Sequence, residues 1–542
     1  MTLTGSMQRW PLLATAILDH AASLYPRREV VSRKVEGDIH RLDYAALRSR
    51  VRRCADALDK LGVKPGDRVA TLAWNTHRHL EVWYACAALG SVYHTVNPRL
   101  FEEQIQWIVS DAEDAILFVD LGFVALAERI AAACKSIRRV VILTDRAHMP
   151  ETSLPDAACY EELLANADPD FAWRALDEET ALGLCYTSGT TGRPKGVLYS
   201  HRSTVLHAMG VHGVDAFALS SRSVVMPVVP MYHANAWALP FAAPMTGAKL
   251  VLPGAQLDGA SLAELIAREQ VTFSAGVPTV WNGLVDHLRA TQRRLPSLQR
   301  VVVGGSACPA ALFDALETEL GVEVLHAWGM TELSPVASFA TPRASASELS
   351  GDALRALRLK QGAPVFSVEL RIVDERGKPL PHDGVTAGAL QVRGASALRE
   401  YYKGAGGEIL DADGFFDTGD IATIDEHGFM HITDRAKDMI KSGGEWISSI
   451  ELENAAVGHP AISEAAAIAV PHPKWGERPL LLAVRRAGAH VEASELRDWL
   501  GHKLARWAVP DQVLFVETLA HTATGKLDKA SLRARYTALY QR

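Results

Sequence analysis

Apolar residues recur at helical spacing over residues 42–61, where Leu42, Leu47, Val51, Cys54, Leu58 and Leu61 fall on one face. A Lys64-Pro65-Gly66-Asp67 turn ends that stretch and a strand-like run over 68–74 follows. Residues 77–89 predict a second helix, and 116–119 and 140–143 predict short strands with helical stretches between them. The same rhythm returns at 261–268, 272–274, 279–288 and 300–303. Helix and strand alternating in this way predict an α/β protein built on parallel sheets.

Beyond Pro364 the pattern changes. Strand-like runs over 367–373, 388–393 and 429–432 are separated by turns such as Asp374-Glu375-Arg376-Gly377, which predicts an antiparallel or barrel-like layer. A compact α+β set then spans 448–457, 462–470, 479–484, 493–507 and 513–516. The expected organisation is a large N-terminal domain over 1–433, carrying parallel sheets and the barrel-like part, and a small, mobile α+β domain over 434–542.

Two apolar stretches need a reading of their own. Residues 224–245 contain Pro227, Pro230, Pro240 and Pro244 with His233 and Asn235, poor material for a membrane span. A buried strand and a pocket-lining loop fit better. Residues 11–18 are broken by Asp19 and His20 and lack a basic leader, so they predict a surface helix and not a signal peptide. The 542 residues suffice for more than one domain. Six cysteines without a CxxC pair suit neither a disulfide framework nor a zinc knuckle, and a cytoplasmic, reducing setting is expected. A formal charge of −7 argues against a nucleic-acid partner.

Several motifs carry chemistry. Tyr186-Thr187-Ser188-Gly189-Thr190-Thr191-Gly192-Arg193-Pro194-Lys195-Gly196 follows a strand-like run. Its glycines let backbone N–H groups approach a ligand, and its hydroxyls and Lys195 suit a polyphosphate, though the spacing is not that of a Walker A loop. Pro230-Met231-Tyr232-His233-Ala234-Asn235-Ala236-Trp237 places a histidine and a tryptophan among apolar residues. Val301-Val302-Val303-Gly304-Gly305-Ser306-Ala307-Cys308 runs from a strand into a glycine step that admits a flat ring or the start of an acyl chain. Trp328-Gly329-Met330-Thr331-Glu332, Thr418-Gly419-Asp420, the charged 434–446 run and Thr522-Ala523-Thr524-Gly525-Lys526 complete the set. Alone, most of these strings read as ordinary turns.

Together and in this order the motifs resemble the adenylate-forming superfamily, which includes acyl-CoA synthetases, firefly luciferase and peptide-synthetase adenylation domains. The resemblance implies that Thr187, Ser188, Gly189, Thr190, Thr191, Gly192 and Lys195 hold the phosphates of ATP. It further implies that Ser306, Ala307 and Trp328 lie on the adenine side and that Ala327, Gly329 and Ile432 also bind the nucleotide. Thr331 is then the α-phosphate contact, Glu332 the Mg²⁺ ligand, Asp420 the ribose ligand assisted by Arg435, and Lys526 the adenylation lysine. His233, Trp237, Gly304 and Gly305 fall in the acyl pocket, with Tyr232 where many members carry phenylalanine. Lys437 is the implied hinge, and Lys441, Ser442, Gly443, Gly444, Glu445 and Trp446 the implied loop for coenzyme A. The catalytic set is thus Lys526, His233, Thr331 and Glu332, working on ATP, coenzyme A and a carboxylic acid.

The runs 197–207 and 441–448 look like the bacterial medium-chain fatty acid branch, which also contains 3-methylthiopropionate ligases. Medium-chain acids are the expected substrates, with other short-chain or aromatic acids as alternatives. A peptide-synthetase module is disfavoured by the short tail after Lys526. A luciferase would need a specialised luciferin, and a non-catalytic nucleotide-binding protein would bind ATP without releasing AMP. A homodimer is allowed and nothing in the sequence tests it.

Overall fold

A computed structural model describes residues 3–187, 193–443, 445–522, 527–537 and 539, and the strand counts below refer to those residues. Two large sheets form the first part of the chain. In one, strands Glu29–Arg33, Lys249–Leu252, Val224–Pro227, Phe273–Gly276, Arg300–Val303 and Glu323–Gly329 lie side by side and parallel. Antiparallel strands close its two edges, which makes nine in all. The other sheet has seven strands, six of them parallel, and ends in the antiparallel return of Gly196–Ser200 on Ala181–Tyr186.

Helix His77–Leu89 explains how the two sheets share one core. Each of its thirteen residues is buried, so the helix has no solvent face to be polar. Trp83 stacks on Tyr93 at 4.5 Å, and the Tyr84 hydroxyl donates to the Pro240 carbonyl at 3.0 Å. Glu81 on this helix is fully buried and is held by Arg50 Nε at 2.7 Å and the Tyr160 hydroxyl at 2.7 Å, which offsets the cost of burying a carboxylate. Helix ends follow local chemistry: Thr76 caps the start through the His79 N–H, and Gly90 ends the helix with φ of 71°.

The N-terminal helix departs from its surface reading. It spans Ala14–Leu24 and buries Ala14, Ile17, Leu18 and Ala21 in the same core. Its charged Asp19 sits at the rim, accepting from Trp173 Nε1 at 2.8 Å. By contrast, 224–245 holds the expected strand, Val224–Pro227, and a loop after it, and then a helix the sequence reading did not include, Leu239–Thr246. Among the described residues no helix is long and apolar enough to cross a membrane.

Strands Val368–Val373, Gly388–Gly394, Phe416–Ile424 and Met430–Arg435 form a four-stranded antiparallel meander, the layer expected after Pro364. The chain then passes from Arg435 to Ile440 and enters a different sheet. That sheet pairs Glu445–Ile447, Ile440–Ser442, Gly476–Arg485 and Ile462–His472, with Gln512–Phe515 added in parallel. Within the 493–507 stretch the helix spans Ala493–Gly501.

Candidate functional site

The hairpin that carries the phosphate motif is closed at its mouth. Tyr186 pairs with Gly196, and the Thr187 N–H donates to the Lys195 carbonyl at 2.9 Å. Ser188, Gly189, Thr190, Thr191 and Gly192 lie outside the described residues. Lys195 Nζ stands 4.8 Å above the ring of Tyr401. An added Cβ at Gly406, whose φ is +88°, would come 2.8 Å from that ammonium, so the missing side chain leaves it room.

The same Tyr401 donates its hydroxyl to Glu332 Oε1 at 2.8 Å. Burial and the adjacent carboxylate push its phenol pKa up, which keeps the donor proton in place. Glu332 is 7% exposed, and its backbone carbonyl accepts from the Leu398 N–H at 2.7 Å. Tyr199, on the return strand of the phosphate hairpin, donates to the Thr331 carbonyl at 2.8 Å. Lys195, Thr331 and Glu332, 137 residues apart at the extremes, therefore meet around two tyrosines that sequence reading missed.

Strand Glu323–Gly329 leads straight into the Thr331–Leu333 turn. A Cβ at Gly329 would lie 2.0 Å from the Pro335 carbonyl oxygen, so only glycine permits this close return of the backbone. The neighbouring strand Arg300–Val303 ends in Gly304 and Gly305. A Cβ at Gly304 would meet the Ala327 carbonyl at 2.9 Å and the Trp237 ring at 3.0 Å. Trp237 thus lies against the glycine step, on which the Ala327 carbonyl also closes.

His233 precedes an unusual turn. Ala234–Ala238 all have φ between 44° and 64°, left-handed values that L residues adopt at a cost of about 1–2 kcal/mol each. Asn235 is fixed by the Tyr93 hydroxyl at 3.1 Å, and Asn75 Oδ1 accepts from the Met231 N–H at 2.7 Å. Strain held in place by long-range bonds is characteristic of functional sites.

His326 supports the 306–308 turn from behind. The Leu359 carbonyl can only accept and the Cys308 N–H can only donate, so Nδ1 carries the proton, at 2.9 Å and 3.3 Å respectively. Burial pushes the imidazole pKa down to about 4. A base depressed below its unfolded value of about 6.5 gives stability that is present above pH 6.5 and lost as pH falls towards 4. His326→Gln should therefore be less stable than the wild type at pH 7.5. The gap should narrow by about 2 kcal/mol at pH 5. Chemical denaturation at the two pH values measures it, and a constant gap would refute the buried neutral imidazole.

Ala307 and Ile432 line a single cavity of about 160 Å³, together with Gln361, Ile450 and Asn454. The Ile432 N–H donates to Gln361 Oε1 at 2.6 Å. On the strand paired to Ile432, Asp420 is 2% exposed and its Oδ1 is 2.7 Å from Arg435 Nε.

The remaining motif residues stand apart from this group. Lys437 is exposed, and Lys441 Nζ lies 4.2 Å over Trp446, which is 48% exposed. Ser442 Oγ accepts from Arg478 at 3.1 Å, the Gly443 N–H donates to the Trp475 carbonyl at 2.9 Å, and Glu445 is exposed. Lys441, Gly443, Glu445 and Trp446 face solvent, while Ser442 is buried against Arg478. Gly444 and Lys526 lie outside the described residues.

Comparison with known proteins agrees over nearly the whole chain. A family described as AMP-binding enzyme matches residues 18–402, and one described as AMP-binding enzyme C-terminal domain matches 451–526. The chain is 47% identical over 534 residues to a 3-methylmercaptopropionyl-CoA ligase of Ruegeria lacuscaerulensis, covering 98% of this chain and 99% of that one. It is 47% identical over 534 residues to a medium-chain-fatty-acid–CoA ligase of Ectopseudomonas oleovorans, covering 98% of each. Among solved structures, ATP-bound MatB from Rhodopseudomonas palustris superposes with a TM-score of 0.82 at 26% identity, covering 97% of this chain and 99% of that one.

Proposed function

The chain belongs to the AMP-binding enzyme family, and from that premise we propose that it is an ATP-dependent acid–CoA ligase. A carboxylate oxygen attacks the α-phosphorus of ATP, the bond to the β-phosphate oxygen breaks, and acyl-adenylate and pyrophosphate form. The thiolate of coenzyme A then attacks the acyl carbonyl, and AMP leaves with the bonding electrons. The observation that carries this reading is the meeting of Lys195 and Glu332 at Tyr401, with Trp237 of the Ala234–Ala238 turn packed on the Gly304 step that follows strand Arg300–Val303.

A carboxylic acid of pKa about 4–5 is ionised at neutral pH, so the first step needs no general base. Its obstacle is repulsion between the acid and a polyanionic nucleotide, which positioning and charge neutralisation must overcome. Lys195 and Lys526 supply cationic groups, Thr331 meets the α-phosphate, and Asp420 with Arg435 fixes the ribose. Glu332 offers one carboxylate, with one of its oxygens already oriented by Tyr401, a donor set that fits Mg²⁺ sharing its other positions with phosphate and water. Mg²⁺ would neutralise phosphate charge there.

Medium-chain fatty acids are the proposed substrates. Trp237 and the apolar residues around it accept an uncharged alkyl tail, and one methylene is worth only about 1–3 kcal/mol in such a pocket, so tolerance of neighbouring lengths is expected. 3-Methylthiopropionate is the second reading, favoured by the identity to the Ruegeria protein. We propose that the chain divides functionally near Asp434, with Lys437 as the hinge that brings the 441–446 hairpin to the site for the thioester step. A CoA-dependent AMP-release screen from acetate to palmitate, with benzoate and 3-methylthiopropionate, tests both class and chain length. A maximum at six to ten carbons is expected, and AMP release indifferent to the acid supplied would overturn the ligase assignment.

A further inference from the structure

A buried polar network crosses the proposed hinge, and we propose that it is a latch: Ser449 and Lys529 are positioning residues that dock the small domain in its adenylating orientation. Asp434 lies on strand Met430–Arg435, ahead of Lys437, next to the ribose-side Arg435. Ser449 opens helix Ser449–Val457 and Lys529 opens helix Lys529–Tyr536, both after Lys437. Asp434 Oδ2 accepts from the Ser449 N–H at 2.5 Å and Oδ1 from the Ser449 hydroxyl at 2.9 Å. Lys529 Nζ donates to that hydroxyl at 2.6 Å and pairs with Glu453 Oε1 at 2.7 Å. The carbonyl of Thr433 takes a further bond from the Ser448 hydroxyl.

Three features tie this network to one orientation. Asp434 and Ser449 are fully buried and Lys529 is 9% exposed, so the charges are held out of water. Buried charges are tolerable only when paired with good geometry, and moving one partner away forces the others to find water. The Asp434 carboxylate also meets the positive end of the helix that begins at Ser449, an interaction lost within a turn of displacement. Rotation about Lys437 would separate Asp434 from both Ser449 and Lys529. The solvent-facing side chains of Lys441, Glu445 and Trp446 belong to this same orientation, in which the coenzyme A step is not yet served.

The sequence position of Lys529 gives the latch its consequence. Lys526, the proposed adenylation lysine, precedes it by three residues. Anchoring the start of helix Lys529–Tyr536 against Asp434 and Ser449 fixes the point from which the Lys526 segment departs. The latch acts on adenylation through Lys526 and touches no reacting atom. It rests on the two-step ligase reading and on Lys437 as the pivot.

The two half-reactions separate a latch from a general structural role. Ser449→Ala should lower acid-dependent ATP–pyrophosphate exchange about 10-fold, from loss of hydrogen bonds to charged groups. CoA-dependent turnover of supplied acyl-adenylate should stay within about twofold of wild type or rise, because release is made easier. Ser449→Thr keeps the hydroxyl and should restore exchange. Lys529→Met should reproduce the Ser449→Ala pattern, and thermal midpoints near that of the wild type would establish that the variants fold. Equal loss in both half-reactions, or no loss in either, would overturn the latch. Absence of acid-dependent exchange in the wild type would instead overturn the ligase reading beneath it.

Discussion

Lys526→Ala is expected to reduce acid-dependent pyrophosphate exchange by about 10²–10³-fold, the loss typical when one preorganised charge is removed from a transition state. The reason is electrostatic. Adenylation joins a carboxylate to a nucleotide that is already polyanionic, and without a cation between them each approach is repulsive. Conversion of supplied acyl-adenylate to acyl-CoA should survive largely intact, since the two anions have been joined by then. Exchange and thioester formation measured on the same preparation decide the matter. Equal loss of both would remove Lys526 from its proposed place, whereas selective loss of exchange would link it to the first step alone.

The contrast between Lys526 and Tyr401 shows where sequence reading reaches and where it stops. The proposed role of Lys526 was legible from a short motif in a fixed order, with no need of tertiary detail. Tyr401 was not, because its role depends on a hydrogen bond to Glu332 across 69 residues and on the ammonium of Lys195 over its ring. No local spacing records such a contact. The same division runs through the fold. Helix His77–Leu89 and strand Arg300–Val303 match the expected bounds because Thr76, Gly90 and Gly304 mark their ends. The left-handed turn Ala234–Ala238 was invisible, since alanine and tryptophan have no local preference for it, one asparagine does not specify five such residues, and Tyr93 fixes it from 142 residues away. The N-terminal helix was misplaced on the surface because Asp19 interrupts its apolar run. That carboxylate finds Trp173 at the rim while the helix face beneath is buried.

Asp420→Ala should raise KM for ATP by about 10–100-fold, on the scale of a lost charge-assisted hydrogen-bond pair. Asp420 is nearly inaccessible, and its carboxylate is paired with Arg435 from the neighbouring strand before any nucleotide arrives. Removing it does more than delete an acceptor for the ribose hydroxyls. It leaves the guanidinium of Arg435 with its partner gone, a change that repels nothing in ATP but no longer holds the sugar. The effect should therefore fall on KM for ATP with KM for the acid nearly unchanged, because Trp237 and the Gly304 step belong to the turn Ala234–Ala238 and the end of strand Arg300–Val303, not to the meander. Asp420→Asn preserves an acceptor and should recover part of the loss. Initial rates with ATP and acid varied independently distinguish the outcomes: a rise in both KM values would indicate that the meander has shifted as a body, and a rise confined to ATP would place the ribose on Asp420.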